Sequence, residues 1–234
     1  MSAAIGVLCL ETAFEKIPGH IRNPSTFDFP VVYEVVTGAT PERLVARADP
    51  TLLQPFIDSA RKLEAAGVAA ITSGCGFLVL FQRQLADAVG VPVFSSSLIQ
   101  LPMVARMLRG DQRVGLLVAN RDALTPRHLA AVDADRIPVA VAGMAARPEF
   151  REVMLEGRRV ELDVPRLEAE VLAEVDGLVA EHDDLGAIVI ECTDLVPFAH
   201  AIQARTGLPV FDIVTLTRMV HAGLTRVPFR RAGQ

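Results

Sequence analysis

Short apolar runs alternate with longer amphipathic stretches along the first part of the chain. The runs IGVLCL (5–10), VAAITSG (68–74) and VPVF (91–94) are separated by segments near 50–66 and 77–89 whose apolar positions recur with helical spacing. This alternation is typical of βαβ units, in which helices cover both faces of a parallel sheet. The pattern therefore predicts an α/β fold.

A second series of the same kind follows after a predicted helix near 97–109. Thr125-Pro126 and Asp163 are typical first residues of helices, because their side chains or ring geometry suit a helix N-terminus. The predicted strands of this series are VGLLVA (114–119), IPVAVAG (137–143), AIVIEC (187–192) and LPVF (208–211), with helices near 148–156, 164–182, 195–205 and 213–223.

The two series are copies of one another. Cys75 and Cys192 are separated by 117 positions, and the same offset relates Gly90 to Gly207 and Pro92 to Pro209. Seven further positions of the first series meet identical residues at this offset: Ala70, Ile71, Leu78, Val79, Phe81, Val93 and Phe94. We predict two pseudo-symmetric three-layer α/β domains that enclose a cleft, the first formed by residues 1–95 with 210–234 and the second by residues 96–209.

Composition and charge exclude several classes of protein. The 234 residues are 51% hydrophobic, which excludes disorder, and the net charge of −5 with scattered arginines leaves no basic face for nucleic acid or a membrane surface. No apolar run is long enough to span a bilayer, and the first ten residues do not form a signal peptide. With only Lys16 and Lys62 present, a pyridoxal Schiff base is not expected. We expect small-molecule partners, or further copies of the chain.

Three cysteines, too few and too widely spaced for a disulfide framework, indicate free thiols and a cytoplasmic location. Cys9 lies inside the first predicted strand and is expected to pack in the core. Cys75 and Cys192 each lie where a strand ends and a helix begins, which is where parallel sheets bind ligands. A helix N-terminus favours thiolate over thiol, so we expect both thiols to have lowered pKa values.

Two thiols on opposite walls of one cleft suit proton transfer at a carbon next to a carboxylate, with one acting as base and the other as acid. This chemistry needs no cofactor. Three alternatives are weighed beside it: a metal site formed by Cys192, His200 and His221, a redox pair, and a protein that binds a small acid while its cysteines only pack. The histidines provide no close ligand pair and no Cys-x-x-Cys occurs, so the first two are disfavoured.

Several residues near the strand ends are candidate contacts for a small carboxylate substrate. The backbone around Cys75 can cradle an anion, and residues 16–30, which contain three prolines, are predicted to be irregular and to form either a lid or a plain surface loop. His128, His182 and His200 are predicted to face solvent. The candidate substrate contacts near the strand ends are Thr72, Ser73, Gly74, Gly76, Phe77, Ser95 and Asn120.

The segments IGVL, TSGCGFLVLFQ, VPVFSSSL, VGLLVAN, ECTDLVPF and LPVFDIVTL resemble the aspartate/glutamate racemase superfamily, which includes hydantoin racemase, maleate isomerase and arylmalonate decarboxylase. The resemblance spans nearly the whole chain. It implies two α/β domains around a cleft that receives one cysteine from each. It also implies cofactor-independent racemisation or a related isomerisation by Cys75 and Cys192.

The chain departs from the amino-acid racemases at positions that concern the substrate. Gly76 and Phe77 stand where those enzymes have Asn-Thr, and Asp194 follows Thr193 at the position that assists the second thiol. Glu11 occupies the turn where glutamate racemase has an aspartate, so glutamate specificity is not expected. The decarboxylase relatives keep only the second cysteine, which favours an isomerase here. A racemase of amino acids or their derivatives is the main hypothesis, with a maleate-isomerase-like or decarboxylase-like relative as the alternative.

Overall fold

The computed structural model describes residues 3–228, in which eight strands form two parallel four-stranded sheets. The first sheet has the order β2-β1-β3-β4 and the second the order β6-β5-β7-β8. The strands are β1 (Ile5–Cys9), β2 (Val31–Val35), β3 (Ala70–Ser73), β4 (Val93–Phe94), β5 (Arg113–Val118), β6 (Val139–Gly143), β7 (Leu185–Ile190) and β8 (Val210–Phe211). The predicted α/β fold with two similar halves is confirmed.

Helices cover both sheets. Asp163 Oδ1 accepts a hydrogen bond from Arg166 N at 3.1 Å and so begins the longest helix, as its position in the sequence predicts. The helices are α1 (Leu53–Ala65), α2 (Gln82–Ala88), α3 (Leu101–Met107), α4 (Pro126–Ala130), α5 (Pro148–Phe150, continued by a π-helical turn over Arg151–Leu155), α6 (Val164–Glu181), α7 (Ala199–Thr206) and α8 (Ile213–Leu224).

The strand register repeats between the two sheets. Ile71 pairs with Val93 in the first sheet, and Ile188 pairs with Val210 in the second, with each residue 117 positions after its counterpart. The bonds at the strand ends repeat as well, since Gly74 N donates to Leu8 O and Glu191 N donates to Leu117 O, at 2.8 and 2.9 Å. The sequence repeat is therefore a structural repeat.

The carboxyl ends of the central strands lead directly into the two cysteines. Strands β3 and β7 are buried along their whole length, as expected for parallel strands covered on both faces. Strand β8, which the predicted boundary at residue 210 assigns to the first domain, pairs with β7 in the second sheet. Residue 212 is then held by the chain that leaves β4, because Gln100 Nε2 donates to Asp212 O at 2.9 Å.

Three local features differ from the sequence predictions. Strand β2 was not predicted, and it lies at the edge of its sheet, where the half-exposed run VVYEV has no alternating pattern. The stretches after both cysteines begin as 3₁₀ turns, Gly76–Phe81 and Thr193–Phe198, and become α-helical only afterwards. His128 is buried at 2% exposure and its ring packs edge-on against Phe77, so its predicted position facing solvent is wrong.

Residues 11–30, which we call the strap, contain no helix or strand and connect the two domains. His20 Nε2 lies 2.9 Å from Asp194 Oδ1 in the second domain, and Arg218 of α8 donates to Thr26 O at 2.6 Å. Gly19 has a φ of +94° and lies so close to the 3₁₀ turn of the second domain that a Cβ atom there would be 3.0 Å from Pro197 Cα. Among residues 3–228, no helix is long and apolar enough to cross a membrane.

Replacing Gly19 with alanine should loosen the strap. We expect the free energy of unfolding to fall by about 2–3 kcal/mol, because the positive φ costs about 1–2 kcal/mol for a residue with a Cβ atom and the contact with Pro197 adds to this. Urea denaturation measures the change. Gly67→Ala is the matched control, since Gly67 has a φ of +82° but nothing within 4 Å of a Cβ atom. Equal losses in both variants would contradict a contribution from the contact.

Candidate active site

One cavity between the two domains receives both cysteines of the repeat. Cys75 is half-buried and Cys192 is 5% exposed, and both line this cavity. The cavity is also lined by residues of the strap, of the two 3₁₀ turns, of the π-helical turns Glu42–Ala46 and Arg151–Leu155, and of the chain beside these elements: Leu10, Thr12, Lys16, His20, Arg22, Pro41, Val45, Gly74, Gly76, Phe77, Ala119, Met154, Leu155, Glu191, Thr193 and Asp194. The strap therefore forms part of the cavity wall.

The two cysteine-bearing turns touch each other through related contacts. Thr193 Oγ1 donates to Gly74 O at 2.7 Å, across the domain boundary. At the pseudo-equivalent position in the first domain, a Cβ atom on Gly76 would lie 2.5 Å from Glu191 O and would overlap Glu191 Oε1. Gly76 is therefore required for the close approach of the two turns, since backbone atoms cannot move aside cheaply.

Cys75 begins its 3₁₀ turn and is held by Ser73. The Cys75 N–H donates to Ser73 Oγ at 3.3 Å, and the Ser73 hydroxyl in turn lies 2.6 Å from Ser95 O. Burial raises the pKa of the Cys75 thiol well above its usual value, and the Glu191 carboxylate raises it further.

Cys192 has a carboxylate partner in its own turn. Its Sγ lies 3.9 Å from Asp194 Oδ2, while Asp194 Oδ1 receives the contact from His20. Burial raises the pKa of the Cys192 thiol well above its usual value, with Asp194 and then Glu191 as further causes. Asp194 thus lies between a thiol of one domain and an imidazole of the other.

The predicted lowering of the thiol pKa values is wrong. Backbone N–H groups do lower the pKa of both thiols, but their effect is smaller than that of burial and of the most influential carboxylate, Glu191 for Cys75 and Asp194 for Cys192. The 3₁₀ turns that follow the cysteines contain six residues each and supply little of the field of a long helix. In the free protein both cysteines are therefore protonated at neutral pH.

Glu191 is a buried carboxyl group that sequence analysis missed. It is 1% exposed, and its Oε2 receives one long hydrogen bond from Ala119 N at 3.4 Å. Burial raises the pKa of Glu191 to about 8. A signal for it existed in the sequence, because an acidic residue in the otherwise apolar run AIVIEC is unusual for a buried strand end.

His20 is fixed as a neutral imidazole. Its Nδ1 accepts from Arg22 N at 2.9 Å, so Nε2 carries the proton and donates to Asp194 Oδ1. Burial lowers the pKa of His20 despite the adjacent carboxylate, and Lys16 and Arg22 lower it further.

The strap also supplies two cationic side chains to the cavity. Arg22 donates to Leu10 O at 3.1 Å and to Thr12 Oγ1 at 2.9 Å. Lys16 donates to Phe14 O at 2.8 Å, and its ammonium lies 3.0 Å from the centre of the Phe14 ring. Burial lowers the pKa of Lys16 to about 8. Both side chains are placed to meet an anionic group of a ligand.

Five of the predicted substrate contacts lie outside the cavity lining. The Thr72 hydroxyl donates to Phe94 O at 2.9 Å and the Ser95 hydroxyl donates to Gln82 Oε1 at 2.7 Å, so both hold β4 in place, together with Ser73. The remaining two are Asn120, whose Oδ1 accepts from Asp122 N, and Glu11, which is exposed in a neighbouring cavity that shares Thr12, Pro41, Met154 and Leu155 with the first.

The five other predicted contacts do line the cavity: Gly74, Gly76, Phe77, Thr193 and Asp194. Neither histidine of the candidate metal site, His200 or His221, lines the cavity that holds Cys192, and His221 stacks on Phe29 with ring centroids 3.7 Å apart. Within residues 3–228, no three His, Cys, Asp or Glu side chains are placed to hold a metal ion.

Titration of His20 should make the protein less stable in acid. Because its pKa is lower in the folded state than in the unfolded state, the unfolded chain binds more protons, and stability falls as the pH drops below about 6.5. We expect His20→Gln to reduce the slope of the free energy of unfolding against pH by up to about 1.4 kcal/mol per pH unit between pH 6.5 and 5. Urea denaturation across this range measures it.

Two other histidines serve as comparisons for that slope. His128 is also buried with a lowered pKa, so the slope should decrease in His20→Gln without vanishing. His200→Gln, which replaces an exposed histidine, should leave the slope unchanged. An identical slope in wild type and His20→Gln would contradict the assignment of a neutral, buried His20.

Solved structures support the fold assignment. An arylmalonate decarboxylase variant bound to sulfate superimposes with a TM-score of 0.64 at 17% identity, covering 94% of this chain and 92% of the other. Allantoin racemase from Klebsiella pneumoniae gives a TM-score of 0.66 at 14% identity, covering 95% of this chain and 87% of the other. At these identities the likeness shows the fold alone.

Curated relatives are more similar in sequence. The chain is 35% identical over 237 residues to dimethylsulfoniopropionate lyase 3 of Emiliania huxleyi, which covers 96% of this chain and 61% of the relative. It is 32% identical over 219 residues to the dimethylsulfoniopropionate lyase of Durusdinium sp. clade D, covering 91% of this chain and 72% of the relative. The chain thus spans about three fifths of the length of the first relative. Residues 46–218 match the family described as Asp/Glu/Hydantoin racemase, and the chain belongs to that family.

Proposed function

We propose that this protein is a cofactor-independent lyase that cleaves a carbon–sulfur bond in a sulfonium carboxylate such as dimethylsulfoniopropionate. The observation that carries the proposal is the cavity itself, in which two thiols lie together with cationic and acidic side chains. The similarity to dimethylsulfoniopropionate lyases supports this substrate class over the amino acids of the racemase hypothesis.

The chemistry of such a lyase shares its first step with a racemase. A base removes a proton from the carbon next to the carboxylate, as a racemase does. The electron pair of that C–H bond then forms a carbon–carbon double bond, and the C–S bond breaks with its electrons on sulfur. The products are dimethyl sulfide, acrylate and one proton, so the reaction balances without an oxidant or reductant. A thiolate from Cys75 or Cys192 supplies the base.

The charges of the cavity match a zwitterionic substrate. Lys16 and Arg22 offer N–H donors to the substrate carboxylate, where negative charge increases as the proton is removed. Asp194 attracts the sulfonium, as does Glu191 once it is ionised, and the Phe77 ring lines the same cavity, where an aromatic face attracts a cation. An uncharged substrate would leave these groups uncompensated in a largely buried site.

The raised pKa values of the thiols fit a base that forms only when the substrate is bound. Burial and the two carboxylates disfavour the thiolates of Cys75 and Cys192 in the free protein. A bound sulfonium adds a positive charge beside them and lowers their pKa values. A thiolate formed in this way is more basic than an ordinary one, which helps it to remove a weakly acidic proton.

Racemisation remains the second candidate, favoured by the presence of both thiols in one cavity. A racemase needs a base on each face of the substrate, whereas an elimination needs one. The same assay separates them, because a racemase incorporates deuterium from deuterated water and inverts its substrate without releasing a sulfide.

The purified protein should release dimethyl sulfide from dimethylsulfoniopropionate, measured by headspace gas chromatography with acrylate followed by proton NMR. Replacing the cysteine that supplies the base, by Cys75→Ala or Cys192→Ala, should lower turnover at least about 100-fold, the size expected for loss of general acid–base catalysis. Cys9→Ala is the matched control, since this thiol is buried in β1, bonded to Val7 O and absent from the cavity lining. It should keep full turnover.

Two outcomes would contradict the proposal. A folded protein that releases no dimethyl sulfide but exchanges the α-proton of aspartate, of another amino acid or of a hydantoin would be a racemase. A protein that keeps its lyase activity in both single-cysteine variants would use another base.

A further inference from the structure

Glu191 breaks the symmetry between the two cysteine-bearing turns. The offset of 117 pairs Cys75 with Cys192, and the same offset pairs Glu191 with Gly74 of the first turn. The backbone bonds at both positions are equivalent, since each N–H donates to the neighbouring strand of its sheet, β1 or β5. The second turn therefore carries a buried carboxyl group where the first has no side chain.

The carboxyl group of Glu191 extends toward the turn of the other domain. Its Oε1 occupies the space that a Cβ atom on Gly76 would need, so it lies directly against the residue that follows Cys75. After burial, the charge of Glu191 is the largest influence on the Cys75 thiol, whereas for Cys192 the charge of Asp194 comes first. Each thiol thus has its own carboxylate, and the partner of Cys75 comes from the other domain.

Glu191 is also built to change its charge. Its Oε2 accepts a single long hydrogen bond from Ala119, and no hydrogen bond from a charged donor reaches it among the described residues. Its pKa of about 8 is nearer to the pKa of a thiol than the pKa of an ordinary carboxyl group is. A proton can therefore pass between the two groups with a smaller free-energy difference than to a solvent-exposed carboxylate.

We propose that Glu191 takes up the proton of Cys75 and passes it to solvent, and that Gly76 lacks a side chain so that this carboxyl group can reach the first turn. In the step, the S–H bond of Cys75 breaks and an O–H bond forms on Glu191, which leaves a thiolate and a carboxylic acid. The thiolate then removes the substrate proton and becomes a thiol again. Glu191 finally releases its proton to solvent. This assignment rests on the proposed lyase function and makes Cys75 its base.

The test combines Glu191→Gln, which keeps the size of the side chain, with two readouts. In the first, iodoacetamide alkylation of each cysteine is followed by mass spectrometry between pH 7 and 10. At pH 9, where Glu191 of the wild type is ionised, removing its charge should lower the pKa of Cys75 and make its alkylation several-fold faster, with a smaller effect at Cys192. Asp194→Asn should produce the reverse order, with the larger effect at Cys192.

The second readout is turnover of dimethylsulfoniopropionate. In the wild type, kcat/KM should rise through about pH 8 as Glu191 ionises. Glu191→Gln should abolish this rise and lower kcat at least tenfold. A more reactive Cys75 combined with slower turnover is the signature of a lost proton acceptor, since misfolding would not make one thiol selectively faster. Glu168→Gln removes the same charge from an exposed position of α6 and should change neither readout.

The two proposals fail in different ways. Unchanged alkylation of Cys75 in Glu191→Gln, or unchanged turnover, would overturn the role of Glu191. If the wild type releases no sulfide, the lyase function is wrong, and the alkylation readout alone decides on Glu191: selective acceleration at Cys75 supports the pairing, and its absence overturns it.

Discussion

The close approach of two short turns at the pseudo-symmetry axis is the constraint on which the site depends. Thr193 donates to Gly74 O across the domain boundary, and Gly76 leaves room for Glu191 on the other side of the axis. Both turns end central strands of their sheets, so the parallel topology directs them to one place. Because the turns meet, each thiol is shielded by the opposite domain, and the carboxyl group of one domain acts on the thiol of the other.

Removal from water then determines the protonation of the site. Burial raises the pKa of both thiols and of Glu191, and it lowers the pKa of His20 and Lys16. Every one of these shifts favours the uncharged form. A zwitterionic substrate brings its own charges into such a cavity, and each of its charges favours ionisation of a group of opposite sign. At neutral pH the two thiols, Glu191 and His20 are thus uncharged in the free site, and the charges of the catalytic groups develop on binding.

The fold could be predicted from the sequence because the patterns that indicate it are local and occur twice along the chain. The offset between Cys75 and Cys192 reveals the two halves, and Asp163 begins α6 as its residue type predicts. The contact of His20 with Asp194 joins residues 174 positions apart, and no local pattern indicates it. The thiol pKa values were mispredicted for the same reason, since burial is a property of the assembled domains. Glu191 is different. Its place in the apolar run AIVIEC is visible in the sequence, but only the structure shows that its carboxyl group lies against the turn of Cys75.

The broken symmetry bears on the choice between elimination and racemisation. A racemase acts on two mirror-image substrates of equal free energy, so its two bases work under closely balanced conditions. Here both carboxylates that act on the thiols come from the second turn, opposite Gly74 and Phe77 of the first. Asp194 is bonded to His20, whereas Glu191 lacks a comparable partner among residues 3–228. The two thiols thus work in unequal surroundings, an arrangement that suits the removal of a proton from one face followed by departure of a leaving group.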